Sequence, residues 1–317
     1  MTNPEKIVIV GAGLMGHGLA LVFAEKGHPV WLVDNNAAAL EVVPQRIREI
    51  LERMQSQGID LDRSIDDAIN LVHTTTAMAE AVKECDFVFE CVFENMELKQ
   101  NIFADLDRMC PPETILCSNT SVMSITEIAS KSTNRQRIIG THFWNPPYLL
   151  PLVEVVRTED TTEAIANVTF NLLKRAGKHP IHVYKDVPGF VANRMQHALW
   201  REAYAIIDEG ICDPATVDEA VRNSFGMRLP ILGPVENADM IGLDLTLAVH
   251  DYILKYINAD PTPSTTLQAK AKAGELGFKT GSGFMEWSDD SIAESRQQLI
   301  DYLIKVVAEK QKSERNN

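Results

Sequence analysis

The feature that most constrains this 317-residue chain is a glycine-rich loop set between an apolar strand and a helix. Lys6–Val10 is apolar from its second residue on, as expected for a strand buried on both faces of a parallel sheet. The loop Gly11-Ala12-Gly13-Leu14-Met15-Gly16 follows and opens a helix predicted over about residues 14–26. A G-x-G-x-x-G pattern in this setting predicts a dinucleotide-binding Rossmann unit.

Each glycine of the loop has its own physical role. Gly11 permits a tight turn, Gly13 lets the backbone approach a pyrophosphate, and Gly16 lets the helix pack closely on the sheet. The helix N-terminus, starting with Leu14 and Met15, offers free N–H groups and a positive dipole to phosphates. We therefore expect the run from Gly11 to Gly16 to bind a cofactor.

An acidic residue stands where a dinucleotide ribose would be recognised. Asp34 ends the second predicted strand, Val30–Val33, eighteen residues after Gly16. Its carboxylate would accept hydrogen bonds from ribose hydroxyls and repel a 2′-phosphate. Asn35 and Asn36 bring no arginine to bind that phosphate, so NAD is predicted rather than NADP. A structural glycine turn and an FAD site with the same fingerprint are the alternatives.

The first half of the chain alternates strands with helices, which predicts an α/β fold with a Rossmann-type, doubly wound, mainly parallel sheet. The further predicted strands are Phe87–Val92, Thr114–Cys117, Arg137–His142, Leu152–Val156 and Pro180–Tyr184. A long helix is predicted over about residues 37–57, ended by Gly58.

The pattern changes at the turn signal Asp186-Val187-Pro188-Gly189, where we place a domain boundary. Beyond it the sequence predicts helices only, at about 189–210, 214–224, 242–258 and 264–276. The segment from Asp290 has apolar residues at helical spacing, typical of an amphipathic helix that packs on its own body or on a partner subunit. The predicted parts are an NAD-binding domain over 1–186, a smaller all-helical substrate and dimerisation domain over 187–289, and a C-terminal helix over 290–317.

Charge and composition argue against several function classes. The net charge of −14 argues against general nucleic-acid binding, because phosphate contacts need Lys and Arg. No apolar run reaches ~18 residues and no signal-like segment opens the chain, so we expect no membrane span and a cytoplasmic location. The five cysteines lack paired ligand spacing, which favours reduced thiols over zinc or disulfides. No metal site is predicted.

His142 has the most informative position of the eight histidines. It ends an apolar strand, where ligands bind in open α/β sheets, and a rigid turn over 143–147 follows it. Alcohol oxidation needs a base for the hydroxyl proton, and histidine has a suitable pKa. Glu154 lies twelve residues on in an otherwise apolar strand, where a carboxylate is costly unless paired. The residues alone leave open a catalytic His142–Glu154 pair or a satisfied structural histidine.

Several segments resemble the L-3-hydroxyacyl-CoA dehydrogenase family, in matching order over nearly the whole chain. Besides the glycine loop and Glu154, they are Ser118-Asn119-Thr120-Ser121, His142-Phe143-Trp144-Asn145-Pro146, Pro188-Gly189-Phe190-Val191-Ala192-Asn193-Arg194 and Lys279-Thr280-Gly281-Ser282-Gly283-Phe284. The resemblance implies an NAD-binding α/β domain, a helical domain that dimerises, and a small-molecule substrate.

The resemblance also implies catalytic roles. His142 would be the general base and Glu154 its orienting carboxylate, while Ser121 and Asn193 would hydrogen-bond the substrate near its reacting oxygen. Read by themselves, Ser121 is also typical of a helix cap and Asn193 of a helix surface.

Further cofactor contacts follow from the same resemblance. Asn145 would lie beside the nicotinamide, and Glu94, Lys99 and Lys279 would lie at the cofactor. Lysines read alone are more often solvated, so that interpretation stays open for both lysines.

Four features favour a substrate without CoA. Residues 41–67 correspond to a Lys-rich hairpin that meets the CoA nucleotide in the acyl-CoA enzymes resembled, yet here four arginines face seven acidic residues. That balance makes a poor phosphate receptor unless two or three arginines converge. The run 145–152, the element Gly226-Met227-Arg228 and the C-terminal helix resemble the branch containing L-gulonate 3-dehydrogenase (lambda-crystallin) and carnitine dehydrogenase.

Arg228 would bind a substrate carboxylate, or else serve the structure, for example by pairing with Glu236 or Asp239. The sequence thus predicts NAD-dependent oxidation of the 3-hydroxyl of a small 3-hydroxy acid to the 3-keto acid. The alternatives are a short-chain L-3-hydroxyacyl-CoA dehydrogenase, a dehydrogenase of a hydroxymethyl heterocycle, and an NAD-binding crystallin-like protein without turnover.

Overall fold

The computed structural model describes residues 4–315, and these form two compact units. The first contains the residues up to Arg194 and those from Leu299 on, and the second is Met195–Gln298. The domain boundary predicted from the sequence lies at residue 186. The predicted domain limits stay a prediction.

The first unit is built on an eight-stranded sheet. Its strands are β1 (Ile7–Val10), β2 (Val30–Val33), β3 (Val72–Thr75), β4 (Phe87–Glu90), β5 (Ile115–Ser118), β6 (Ile138–Phe143), β7 (Leu152–Val156) and β8 (His179–Val183). Their order is β3-β2-β1-β4-β5-β6-β7-β8. All neighbours are parallel except β6 and β7, which pair antiparallel. The predicted doubly wound, mainly parallel sheet is confirmed.

Helices cover the sheet, and one predicted helix is wrong in its extent. They are α1 (Leu14–Glu25), α2 (Ala37–Glu41), α3 (Val43–Ser56), α4 (Ile65–Asn70), α5 (Met78–Ala81), α6 (Met96–Met109), α7 (Ile125–Ile128), α8 (Glu163–Arg175) and the start of α9 (Ala192–Asp208). The single helix expected over 37–57 breaks at Val42, since Pro44 lies in the first turn of α3. Proline has no N–H to continue an earlier helix, but it fits a first turn, where that N–H would be unpaired.

Strand β3 is absent from the sequence prediction. It lies at the edge of the sheet, and none of its four residues is fully buried. Its sequence, Val-His-Thr-Thr, therefore lacks the continuous apolar run that identifies the central strands.

The second unit has helices as its regular elements, as predicted. They are the rest of α9, α10 (Pro214–Arg222), α11 (Pro234–Ile241), α12 (Leu243–Ile253), α13 (Thr265–Ala273) and the first part of α14 (Asp289–Arg315). Helix α11 is an addition to the prediction: it has only eight residues and lies between Gly233 and Gly242. The remainder of α14, from Leu299, belongs to the first unit.

The core of the first unit lies on both faces of the sheet. Every residue of β1 and β4 is buried, so both strands are held firmly in the centre of the sheet. The loops that follow them start at the edge of the sheet formed by the carboxyl ends of the parallel strands. Phe23 of α1 packs on Phe89 of β4, with ring centroids 4.8 Å apart. The loops that follow β1, β4, β5 and β6 thus start from one rigid edge.

Candidate active site

The glycine loop joins β1 to α1 in a conformation that requires glycine. Gly11 has a φ of +105°, and a Cβ there would lie 2.7 Å from the carbonyl oxygen of Cys91. A Cβ on Gly16 would lie 1.7 Å from the carbonyl oxygen of Gly11. A side chain at either position would force the loop away from its neighbours.

The middle glycine faces open space. A Cβ on Gly13 would meet nothing within 4 Å, and Gly13 caps α1 without a side-chain hydrogen bond. The first N–H groups of α1 are therefore available to an anionic ligand, as binding of a pyrophosphate requires.

Asp34 lies against this loop at the end of β2. Its Oδ2 accepts from the backbone N–H of Ala12 at 2.7 Å, and its Oδ1 accepts from that of Asn36 at 2.9 Å. Each carboxylate oxygen has a second lone pair, which can accept from a ribose hydroxyl. The loop, the helix N-terminus and this carboxylate fit NAD, and the individual contacts to NAD stay predictions.

The register of β6 and β7 places His142 directly opposite Glu154. His142 Nδ1 lies 2.7 Å from Glu154 Oε2, and the two residues are 4% and 0% exposed. An ionised carboxylate only accepts hydrogen bonds, so in the neutral imidazole Nδ1 carries the proton and Nε2 is the acceptor. Within residues 4–315, no protein group hydrogen-bonds that Nε2.

Glu154 uses its other oxygen to hold the start of α9. Oε1 accepts from the backbone N–H of Val191 at 2.9 Å and of Ala192 at 3.0 Å. Burial alone would raise the pKa of Glu154, but the hydrogen bonds from His142 and these two N–H groups outweigh it and lower the pKa. Glu154 is therefore ionised at neutral pH and able to stabilise a charged imidazole.

Aromatic rings enclose the imidazole of His142. The ring centroids of Trp144 and Phe190 lie 5.2 and 5.8 Å from it. Phe190 is buried with a φ of +49°, directly after Gly189 at +75°. This left-handed turn, uncommon for a bulky side chain, sets Phe190 beside the histidine.

Ser121 and Asn193 lie together in the first unit. Asn193 Nδ2 donates to the carbonyl oxygen of Ser121 at 2.9 Å, and Asn193 is buried, which excludes the surface alternative for it. The cap of α7 is Ser124, so the alternative that Ser121 caps the following helix is wrong. The predicted substrate contacts of Ser121 and Asn193 stay predictions.

Glu94 and Lys99 belong to a network under the Ser121 loop. Glu94 Oε1 accepts from the N–H of Ser121 at 2.7 Å, and Thr120 Oγ1 donates to both Glu94 oxygens. Lys99 is 1% exposed, so a solvated lysine is the wrong interpretation. Its Nζ lies 2.7 Å from Glu90 and 3.4 Å from Glu94. The structure thus gives Lys99 carboxylate partners, and its predicted contact with the cofactor stays a prediction.

Sequence reasoning missed two residues that organise this edge. Asn119 Oδ1 accepts from the N–H of Phe143 at 2.8 Å, which ties the end of β5 to that of β6. Glu90 is fully buried and accepts from Ser118 Oγ at 2.8 Å as well as from Lys99. Glu90 could have been identified from the sequence, because it is a carboxylate in an otherwise apolar strand, the pattern that identified Glu154. A polar residue after a strand, such as Asn119, is too ordinary to be informative.

Three predicted binding residues are exposed. Asn145 starts the turn after β6, and its peptide bond to the next proline is cis. Arg228 and Lys279 lie in the second unit. Among the residues described, Arg228 pairs with neither Glu236 nor Asp239, so that alternative is wrong. The predicted contacts of all three with ligands stay predictions.

Other observations concern metals, thiols and membranes. Over residues 4–315 the structure contains no group of three or more His, Cys, Asp or Glu side chains that could hold a metal ion. The five cysteines are free, and three of them are buried. In the same part of the chain, no helix has both the length and the apolar character needed to cross a bilayer.

Comparisons with known proteins agree on one family. The model of the 3-hydroxyacyl-CoA dehydrogenase NAD binding domain matches residues 6–187, and that of the C-terminal domain matches residues 189–287. A probable 3-hydroxybutyryl-CoA dehydrogenase of Bacillus subtilis is 37% identical over 286 residues, which are 90% of this chain and 98% of that protein.

Two solved structures extend this similarity. (S)-3-hydroxybutyryl-CoA dehydrogenase from Ralstonia eutropha has a TM-score of 0.76 at 35% identity, over 90% of this chain and 100% of that one. The 5-dehydrogenase of 5-formyl-3-hydroxy-2-methylpyridine 4-carboxylic acid, an NAD⁺-dependent dismutase, has a TM-score of 0.89 at 29% identity, over 96% of this chain and 97% of that one. The predicted NAD-dependent dehydrogenase acting on a CH–OH group is confirmed at this level, and the chain belongs to the 3-hydroxyacyl-CoA dehydrogenase family.

Proposed function

We propose that this chain oxidises the 3-hydroxyl of a short-chain L-3-hydroxyacyl-CoA, with NAD as the hydride acceptor. The observation that carries the proposal is the buried His142–Glu154 pair, in which Nε2 of the histidine is left as a proton acceptor. The sequence prediction of a free 3-hydroxy acid is not confirmed, and the name of the 37% identical relative favours the thioester.

The residues of this chain move the hydroxyl proton. NAD, when bound, accepts the hydride. Nε2 of His142 takes the proton of the substrate hydroxyl, and a positioned general base contributes ~10²–10⁴-fold to the rate. Glu154, 2.7 Å from Nδ1, fixes the ring orientation and stabilises the imidazolium that forms. We assign Ser121 and Asn193 to the substrate near its reacting oxygen.

A substrate comparison tests the proposal directly. NADH formation is measured with (S)-3-hydroxybutyryl-CoA and with free (S)-3-hydroxybutanoate under the same conditions. We expect the thioester to have a kcat/KM higher by ~10²-fold or more, because remote binding energy from CoA stabilises the transition state. A higher kcat/KM for the free acid contradicts the proposal. NAD binding without turnover of any hydroxy compound would support the crystallin-like alternative.

A second candidate, a small carboxylate substrate without CoA, is favoured by the arginines of the 41–67 segment. Arg48 pairs with Asp66 at 2.6 Å, and Arg53 pairs with Asp301 of α14 at 2.9 Å. Arg63 Nε donates to the carbonyl oxygen of Glu25 at 2.8 Å. Three of the four arginines are thus occupied within the protein, which leaves a weak receptor for CoA phosphates.

The solved structures add to this second candidate. The dehydrogenase with a TM-score of 0.89 is named for a pyridine carboxylate, a small compound without CoA. Its similarity covers 96% of this chain, so it includes part of the 27-residue helix α14. The predicted likeness to the gulonate and carnitine dehydrogenase branch agrees with this candidate and stays a prediction.

Replacing Arg228 with methionine separates the two candidates further. If Arg228 binds a substrate carboxylate, its loss raises KM for carboxylates by roughly 10–100-fold, as expected for a charge-assisted contact, and leaves thioesters unaffected. Arg222→Met is the matched control, because Arg222 is an exposed arginine of the same unit whose partner is Asp218. Equal changes for both substrate classes rule out a carboxylate anchor.

We also propose that the chain forms a homodimer through α11 and α12. No residue of these two helices is buried in the chain. Their exposed apolar side chains are Val235, Met240, Ile241, Leu243, Leu245, Leu247, Val249, Tyr252 and Ile253. Apolar exposure on this scale is typical of a protein interface. Light scattering should give twice the chain mass, and Leu247→Glu should shift it to that of one chain.

A further inference from the structure

The turn that leaves the catalytic strand β6 has an unusual anchor. We call residues 146–151 the proline loop. Its backbone forms one turn, since the N–H groups of Leu149 and Leu150 both donate to the carbonyl oxygen of Pro146, at 3.1 and 3.0 Å. The carbonyl oxygens of Pro147 and Leu150 accept instead from Nζ of Lys178, the second at 3.3 Å. An ammonium group thus satisfies the free carbonyls of the turn.

Lys178 makes these two hydrogen bonds and has no carboxylate partner among residues 4–315. It lies after α8 and is half-buried. Glu25, the last residue of α1, and Lys26, which follows it, are the charged groups near Lys178, and they pair with each other at 3.0 Å. Asp60, and Lys310 and Glu314 of α14, line the same cavity as Lys178. Its contacts are therefore to the loop carbonyls rather than to an ion pair.

The position of Lys178 is not explained by stability. Burial, with a smaller contribution from Lys26, lowers its pKa to about 8. A lowered pKa means that folding favours the neutral amine over the ammonium, so keeping this ammonium at neutral pH costs the fold free energy. A residue that costs stability and is held in one geometry is typical of a functional position.

The proline loop connects the two halves of the candidate site. It begins one residue after Asn145 and four after His142. On its other side it packs on α1, where a Cβ on Gly18 would lie only 2.6 Å from Cγ of Pro147. Movement of the loop therefore reaches both the catalytic strand and the helix that follows the glycine loop.

Helix α14 closes the outer side of the loop. Leu149 is 3% exposed and belongs to one apolar cluster with Ile304 and Ala308 of α14 and with Met54 and Ile59. A cavity of about 330 Å³ beside this cluster is lined by Leu149, Met54 and Lys178 and by Leu303 and Val307 of α14. Water in such a cavity can hydrogen-bond the loop carbonyls if the ammonium is removed.

We propose that Lys178 is a positioning residue of the dehydrogenase site, which holds the proline loop and, through it, Asn145 and His142 in their working geometry. The inference rests on the proposed dehydrogenase site, and it does not depend on whether the substrate is a thioester or a free acid. Lys178 acts through the loop and touches no reacting atom.

The test is Lys178→Met, which keeps the length of the side chain and removes its donors. We expect kcat to fall ~10–100-fold and the Kd of NADH to rise several-fold, since a misplacement near 1 Å at a site costs up to ~10²-fold. The melting temperature should stay the same or rise. Lys178→Arg keeps the donors and can extend into the cavity, so it should recover most of the activity.

Lys174→Met is the matched control. Lys174 is an exposed lysine in the last turn of α8, four residues before Lys178, and its Nζ lies 5.1 Å from the ring centroid of Phe170. Unchanged kcat and NADH affinity in Lys178→Met would overturn the proposal. A melting temperature that falls together with activity, unrestored by arginine, would also overturn it by showing a structural role. If the wild-type chain turns over no substrate, the proposed function fails, and NADH affinity still decides the role of Lys178.

Discussion

Replacing Glu154 with glutamine changes one atom of a buried side chain, and the structure indicates which of its contacts fails. The remaining oxygen can still accept from the N–H groups of Val191 and Ala192, now 2.9 and 3.0 Å from Oε1. The new amide NH₂ then faces Nδ1 of His142. An NH₂ group only donates, so the imidazole must place its proton on Nε2. In that tautomer His142 cannot accept the proton of a substrate hydroxyl.

The opposite orientation of the glutamine amide is less favourable. It would preserve the bond to His142 but set the NH₂ group against two backbone N–H groups. Each buried donor left unpaired costs about 1–3 kcal/mol. Leaving the N–H groups of Val191 and Ala192 unpaired therefore costs more free energy than moving the proton of His142 from Nδ1 to Nε2. We therefore expect Glu154→Gln to retain the start of α9 and to lower kcat by ~10²–10⁴-fold through the wrong tautomer.

The assay compares kcat from NADH formation, the Kd of NADH and the melting temperature. Glu159→Gln is the control, because Glu159 is an exposed carboxylate shortly after the same strand. The Kd of NADH should change little in either variant, since Glu154 contacts His142 and α9 rather than the glycine loop. A Glu154→Gln kcat within about threefold of wild type, measured at saturating substrate, would refute the tautomer argument.

Three further outcomes follow from the same structure. His142→Ala should lower kcat by ~10²–10⁴-fold and leave NADH affinity nearly unchanged; weaker NADH binding of the same size would argue against a base. Gly16→Ala should abolish NADH binding in fluorescence titration, because the added Cβ would lie 1.7 Å from the carbonyl oxygen of Gly11. Lys178 has a folded pKa of about 8 against an ordinary 10.5, so the unfolded chain binds more protons between these values. Lys178 therefore contributes a rise of up to ~3 kcal/mol in the free energy of unfolding from about pH 8 to about pH 10.5. Because the raised pKa values of the buried Cys91 and Cys117 thiols act in the opposite direction over this range, the rise is measured in urea as the difference between wild type and Lys178→Met.

The elements that the sequence predicts well are those whose burial is complete. The residues Ile7–Val10 are apolar throughout because both faces of β1 are covered, and the Gly11–Gly16 run follows from steric demands that only glycine meets. Strand β3 was not predicted, because it lies at the edge of the sheet and its sequence lacks the continuous apolar run of the central strands. The break at Val42 depends on which turn contains Pro44, and helical periodicity does not reveal that.

The candidate site was predictable in part for a similar reason. A carboxylate inside an apolar strand indicates a partner, so Glu154 could be connected with His142. The sequence could not fix their contact, because a slip of one residue in the register of β6 and β7 would turn Glu154 to the other face. Lys178 carried no signal, since its partners are backbone carbonyls whose direction is set only by the folded turn.

The two oxygens of Glu154 leave its position almost no freedom to vary. One oxygen serves an imidazole and the other serves a helix start, and both contacts must be made at once from β7. Aspartate has the charge but is shorter by one C–C bond of about 1.5 Å, so it would reach only one side. Glutamine has the reach but gives the imidazole a donor. Within this geometry glutamate is the one amino acid that meets both demands, so any homologous chain with another residue here should use a different base or a different helix start.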